Sequence, residues 1–271
     1  MLKILSAFVL SAIMALAHAG ACEETPLLYM INVGKGDAIL VFNGDDIYLV
    51  DAAKSGAYDR VQAALESFGV STLKGVFLTH TDKDHAGGLK KLSKSSIEIE
   101  AWYASAYYAR EPGEHQMAQA AARRGQTVTW LYPGDTVDGI FTVLAPGRVY
   151  GDEDNNSLVM MLEINSVRVL LTGDMEYKEE RDLLSQNYDL SCDIFKVPNH
   201  ADNDVCSLLE LETLGAKYAL ITTDPAEKPG TPDEALMRRL ENAGMQIFRT
   251  DLSEHGILVT LADEGINIKV D

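Results

Sequence analysis

The stretch THTDKDHAGG, residues 79–88, follows the apolar run Val76-Phe77-Leu78 and sets His80, Asp82, Asp84 and His85 within six residues of one another. A short apolar run that stops at a polar turn reads as a buried strand presenting side chains at its end. Imidazole suits zinc and related transition metals, while carboxylates add charge and suit harder ions. The bland reading is a charged turn with a helix cap. Four ligand-type groups in one turn, closed by Gly87-Gly88, make the metal reading the stronger one.

Working outward, other acids and histidines also fall at the ends of apolar runs. Asp174 closes LLTGD (170–174), His200 follows FKVPN (195–199), and Asp51 ends the run 47–50. Singly, each has an ordinary explanation. Asp174 precedes a helical stretch and could cap it. His200 could be polar surface, and Asp51 could hold its own turn by hydrogen bonds.

The rest of the chain has a mixed α/β rhythm. Strands are expected over 27–33, 38–42, 47–51, 75–80, 127–132, 141–144, 157–164, 167–172, 194–197, 218–222, 246–248 and 257–261. Helices are expected over 58–68, 111–124, 175–186, 205–214 and 233–243. Gly34-Lys35-Gly36-Asp37 reads as a tight hairpin turn, because it lacks the spacing of a phosphate-binding loop. Trp102, Tyr103, Tyr107 and Tyr108 read as a partly buried loop. His115 is expected to face solvent from a surface helix, and His255 to sit in a turn near the cleft or simply at the surface. The pattern predicts one domain over 20–271, sheet packed on sheet with helices outside. No Ser/His/Asp or Cys/His nucleophile arrangement stands out.

Of 271 residues, 46% are hydrophobic and the net charge is −18. Such an acidic field opposes binding to long nucleic acid or anionic lipid, though not to a small anionic substrate held by metal. Residues 1–19 combine Lys3, an apolar run over 4–16 and Ala17-His18-Ala19, the pattern of a secretory signal peptide. Export to the periplasm or medium is therefore expected. No run in the body is long and apolar enough to span a membrane. Lipidation at Cys22 is disfavoured, since the large aliphatic residue usual three places before such a cysteine is missing. Export permits disulfides. Cys192–Cys206 is the favoured pair among three cysteines, with two buried thiols fitting equally well.

Taken in order, these segments resemble the metallo-beta-lactamase superfamily, and within it the ComEC-type (competence protein) metallo-hydrolase domain. NVGKGDAILV (32–41) looks like that family's V-G-Q-G-D-A segment, and IYLVDAA (47–53) its next strand. THTDKDHAGG resembles its H-x-D-x-D-H-x-G-G form of the superfamily motif. YPGDT, FTVLAP, DNNSLVMMLEI, LLTGD, FKVPNH and RTDLSEHGILVTL follow in the expected order, so the resemblance covers residues 28–270.

The resemblance implies a four-layer αββα sandwich with a metal site at one edge. Carried over by position, one site is Asp84, His85, Asp174 and His200, with Asp174 bridging. The other is His80, Asp82, Asp174 and one group with no clear counterpart. The candidates for it are an oxygen of Asp154 or Asn156, or a water. Asn199 stands where one histidine of the family's K-V-P-H-H segment is lost. The cofactor implied is zinc, as one or two ions, with manganese or magnesium made easier by the oxygen ligands. The activity implied is hydrolysis, of phosphoesters first, by a water activated at the metal, with Asp84 binding metal and orienting that water. Asp51 would support the ligand loops from behind. A lactamase-like ester or amide hydrolase and a catalytically impaired metal-binding module are the alternatives.

Overall fold

The computed structural model describes residues 25–108, 112–263 and 265–270; the expected signal peptide and Cys22 lie outside the described residues. Strands form two large mixed sheets. In spatial order the first holds β17 (Gly265–Val270), β16 (Gly256–Ala262), β1 (Leu27–Ile31), β2 (Ile39–Asn43), β3 (Asp46–Val50), β5 (Gly75–Leu78), β7 (Trp102–Ser105) and β8 (Val128–Leu131). The second runs β15 (Gln246–Arg249), β14 (Tyr218–Ile221), β13 (Ile194–Lys196), β12 (Val167–Leu171), β11 (Val159–Ile164), β10 (Phe141–Ala145) and β9 (Thr136–Val137). A small parallel pair joins β4 (Thr72–Leu73) to β6 (Glu98–Ile99).

Side-chain alternation explains the layering, since successive strand residues point to opposite faces. In β1, Leu28 and Met30 enter the core between the sheets, whereas Tyr29 and Ile31 enter an outer core. In β11, Met160, Leu162 and Ile164 face the first sheet, and Val159 and Met161 face the other way. Tyr48, Phe77 and Phe141 meet in the inter-sheet core, with Tyr48–Phe141 and Phe77–Phe141 centroids 5.1 and 4.7 Å apart. Sheets buried on both faces carry near-continuous apolar runs rather than an apolar–polar alternation, which is how most of these strands read.

Helices complete the outer layers. α1 (Tyr58–Ser67), α2 (Lys83–Ala86), α3 (Leu89–Leu92) and α4 (Gln116–Arg123) cover the first sheet through Val61, Leu65, Leu89, Leu92 and Met117. α5 (Tyr177–Leu184), α6 (Leu208–Leu214) and α7 (Glu234–Asn242) cover the second through Leu183, Leu211, Leu214, Leu236 and Leu240. Ser207 and Asp233 cap α6 and α7 by accepting from the Glu210 and Leu236 amides, as their residue types favour. The expected αββα sandwich is thus the observed one.

Several local expectations need correction. Trp102 and Tyr103 lie in β7 rather than a loop, and Trp102 is buried with its indole N–H donating to Gln126. His115 is buried, not solvent-facing: it precedes α4 and packs against Trp130 and Tyr108. Its ring is drawn inward because an aromatic pocket is available there. Cys192 and Cys206 are separate buried thiols, so the favoured disulfide does not form.

The topology brings particular chain ends together. β3, β5 and β7 run parallel, as do β12, β13 and β14. The loops leaving β3, β5, β12 and β13 carry Asp51, the 79–88 turn, Asp174 and His200, so one edge of the sandwich receives every one of them.

Candidate metal centre

The 79–88 turn is pinned from behind. Asp51 is fully buried and accepts from the Thr79 amide at 2.8 Å, the Thr79 hydroxyl at 2.7 Å and His85 Nδ1 at 2.8 Å. Gly88 presses against the loop after β3, where an added Cβ would lie 2.0 Å from the Ala52 carbonyl oxygen. Only glycine fits that approach, which ties the turn to the Asp51 loop. Asp51 and Ala53 hold positive φ (60° and 61°), as do Asn199, His200 and Ala201 (44°, 55° and 63°). Non-glycine residues rarely adopt this region, and such strain gathers at functional sites.

Asp84, His85, Asp174 and His200 bring one ligand-type atom each to within 4.8 Å of one another. His200 Nδ1 donates to the Thr222 carbonyl at 3.0 Å, and His85 Nδ1 is engaged by Asp51. Both rings therefore turn Nε2 inward, 3.4 Å apart and 3.2 and 3.0 Å from Asp174 Oδ2. Fixing Nδ1 by an outer acceptor is how ligand imidazoles are oriented.

Burial works against charge on both imidazoles, but Asp174 and, for His85, Asp51 and Asp37 outweigh it and raise both pKa values. Burial likewise opposes ionisation of Asp174, and His200 and His85 reverse it, holding that carboxyl well below its ordinary range. Asp84 is held low in the same way by His200 and His85. Carboxylates that raise imidazole basicity in this arrangement are the same charges that would hold a divalent cation.

A second group consists of His80, Asp154 and Asp174, again within 4.8 Å. His80 is buried; its Nδ1 lies 3.1 Å from the Thr79 hydroxyl, which already donates to Asp51 and so accepts. Among the described residues His80 Nε2 is left without a hydrogen-bond partner, 3.7 Å from Asp154 Oδ1. Burial pushes the His80 pKa down to about 3, leaving a neutral ring with a free lone pair. Burial, together with Asp174 and Asp82, pushes Asp154 up to about 6. One buried Asp174 oxygen, Oδ1, also has no hydrogen-bond partner among the described residues. Orphaned buried acceptors need an explanation, and a cation supplies one. The residues present therefore fit a metal at either group.

Asp82 is half-buried, and Asp84, Asp174 and Glu153 raise its carboxyl after burial does, which places it in the same acidic environment. It is not among the atoms brought within ligand distance in the described residues. Asn156 does not offer the oxygen considered for it. Its Oδ1 accepts from the Tyr150 amide at 2.7 Å and its Nδ2 donates to the Tyr150 and Asp152 carbonyls, so the amide is spent on its own loop. Asn199 is buried beside His200 but joins neither group, and His255 lies exposed in the turn before β16.

Two lysines at the site, and the aspartate that pairs one of them, escaped sequence reasoning. Lys196 is buried, its Nζ 2.6 Å from Asp37 Oδ2, 2.7 Å from the Gly173 carbonyl and 3.6 Å from Asp174 Oδ1. Asp37 accepts from the Thr222 hydroxyl at 2.6 Å, linking this ion pair to the residue that positions His200. Lys35, from the turn before β2, is paired with Asp84. A lysine inside the apolar run IFKV was the available signal for the first, and a lysine in a glycine turn for the second.

The sequence model described as the metallo-beta-lactamase superfamily matches residues 31–222. ComE operon protein 3 of Bacillus subtilis is 26% identical over 191 residues, covering 69% of this chain and 24% of that protein. Competence protein ComA of Neisseria gonorrhoeae is 26% identical over 234 residues, covering 85% and 32%. The chain thus spans about a quarter to a third of the length of these relatives. Among solved structures, the metallo-beta-lactamase fold protein YhfI from Bacillus subtilis aligns with a TM-score of 0.59 at 16% identity, covering 86% of this chain and 98% of that one. That likeness speaks to the fold.

Proposed function

The chain belongs to the metallo-beta-lactamase superfamily, and from that premise we propose that it is an exported, metal-dependent hydrolase of phosphoester bonds. The observation that carries the reading is the inward convergence of His85 and His200 Nε2 on Asp174 Oδ2, with each Nδ1 held from outside. Asp84, His85, Asp174 and His200 would hold one ion, and His80, Asp154 and Asp174 a second, with Asp82 close by. Two nitrogens and two carboxylates suit zinc or manganese. The second, oxygen-richer set suits manganese or magnesium, and ions of that kind pair readily with phosphoryl oxygens.

A divalent ion bound there supplies a Lewis acid for the phosphoryl oxygen and lowers the pKa of the attacking water toward about 7. The protein's own residues supply position. Asp84 lies at the mouth of the cluster, 20% exposed at its side chain, and can accept a hydrogen bond from the attacking water while aiming its lone pair. Asp174 belongs to both groups and would fix the spacing of whatever ions they hold. His80 stays neutral at working pH and so adds no repulsion to an incoming ion. Lys196 and Asp37 hold the floor rigid, since a buried ion pair tolerates little movement. Export rests on the leader pattern of residues 1–19.

Purified chain, assayed for metal content and for hydrolysis of bis(p-nitrophenyl) phosphate beside a chromogenic β-lactam, tests this. The expected result is bound metal, turnover of the phosphodiester and little of the lactam. Lactam turnover without diester turnover would replace the substrate class. Bound metal with neither activity would make the chain a binding module.

A further inference from the structure

Lys35 is set into the site by a backbone that has little freedom to leave. Its neighbours Gly34 and Gly36 hold φ of 77° and 142°, and a Cβ on Gly36 would lie 2.5 Å from the Asp84 carbonyl oxygen. That same carbonyl accepts from the Asp37 amide at 3.2 Å, and the Lys35 amide donates to Glu227 at 3.3 Å. The backbone seat is therefore fixed against the metal turn, while the long side chain keeps 22% of its surface exposed and rests its ammonium on Asp84.

Three other lysines around the site are committed elsewhere. Lys54 is paired with Glu227, Lys228 with Asp202, and Lys196 is buried with Asp37. Lys35 alone of these four is paired with a carboxylate at the mouth of the ligand cluster. Asp84 cannot serve that ammonium and a divalent ion at once without bringing two positive charges to within a few ångströms, where their repulsion is twice that of unit charges. An ion on Asp84 would therefore favour rotation of the ammonium outward, over the mouth. A substrate approaching this strongly acidic chain, past Asp82, Asp84 and Asp154, would meet the displaced Lys35 ammonium there.

We propose that Lys35 is the anion-binding residue of this site, its ammonium taking a non-bridging phosphoryl oxygen of the substrate. This rests on the hydrolase reading above and deepens it: the substrate class is anionic phosphoesters rather than neutral esters or amides. Lysine acts in such a role as a flexible point charge with three donors.

The test is calorimetry of inorganic phosphate binding to the manganese-loaded full chain, with Lys35→Gln and Lys35→Arg beside the unaltered protein. Loss of one charge-assisted hydrogen bond predicts at least about tenfold weaker phosphate binding for Lys35→Gln, with Lys35→Arg within about threefold of the original. Steady-state hydrolysis of bis(p-nitrophenyl) phosphate should show the same change in KM, with kcat altered far less. Lys35→Ser supplies the comparison if the glutamine variant does not fold. Phosphate bound equally well by the glutamine or serine variant overturns the proposal, as does a loaded chain that binds no phosphate. Phosphate held through Lys35 by a chain that leaves the diester intact overturns the hydrolase reading and leaves the anion site standing. A chain that takes up no metal overturns the hydrolase reading and this proposal together, because its Lys35 ammonium stays on Asp84.

Discussion

The two ligand groups share Asp174 but are built in different ways. In the first, His85 and His200 come from opposite sheets, and both are locked by buried acceptors, Asp51 and the Thr222 carbonyl. Behind them the Lys196–Asp37 pair closes the floor. In the second, His80 has only the Thr79 hydroxyl behind it, and Asp154 sits on a 3-10 turn, Asp154–Asn156, between β10 and β11. That turn is held by side chains of its own loop: Asn155 contacts Asp152 and Glu176, and Asn156 contacts Tyr150. A site preorganised by two sheets needs little rearrangement to take an ion, whereas one hung on a loop loses affinity in ordering it. The contrast predicts two metals of unequal affinity, the tighter at Asp84, His85 and His200.

The largest effect should come from the shared residue. Asp174→Asn keeps shape but removes the charge that both groups use and leaves the two inward-facing imidazoles without their carboxylate. Metal analysis should find both ions lost, and diester hydrolysis should fall by at least about a thousandfold. A variant that keeps one ion would show that Asp174 belongs to one group, and the comparison as drawn would be wrong.

Asp154→Ala should act on one side only. The chain should keep the ion held by Asp84, His85 and His200, lose the other, and slow by about 10- to 100-fold, the usual penalty for loosening a metal's surroundings. Asp154→His, placing nitrogen opposite His80, should bind zinc more tightly than the parent. Unchanged stoichiometry in Asp154→Ala, measured by metal analysis after dialysis, would remove the second group from the account.

These differences also track what the sequence could disclose. In the tight group, Asp174 and His200 were legible because each ends a strongly apolar run, LLTGD and FKVPNH, and Asp84 and His85 because they crowd the turn that follows VFL. The sandwich was legible for the same reason, buried strands being dense in Val, Ile, Leu and Phe. Asp154 remained one of two candidates because DNN offers three polar side chains in a row, and only the folded loop shows Asn156 turning to Tyr150 while Asp154 turns to His80. β7 was missed because Trp102 and Tyr103 stand between polar segments without a clear period, and β17 because its Ile266 and Ile268 are only partly buried at the sheet edge. Lys35 and Lys196 lie far from the motif in sequence, and their roles arise from pairings of 49 and 22 residues' separation, with Asp84 and Asp174.

The smallest effect sharpens the comparison from the side of the looser group. Glu179, on α5, is fully buried, and its amide donates to Asn155, the neighbour of Asp154. Burial, with Asp152 and Asp182 adding to it against the Ser157 amide, pushes this carboxyl well above its ordinary range. The folded chain therefore holds a proton that the unfolded chain releases above about pH 4.5. Stability from this group is intact below that pH and declines as pH rises toward the folded-state value. Glu179→Gln removes the titration while keeping the shape. It should stabilise the chain by at least about 1 kcal/mol at pH 8 and by much less at pH 5, as read from denaturant unfolding at both. An equal change at the two pH values would mean that Glu179 does not carry the proton. If the stabilised variant also binds its weaker metal more tightly, the loop bearing Asp154 is what limits the second site.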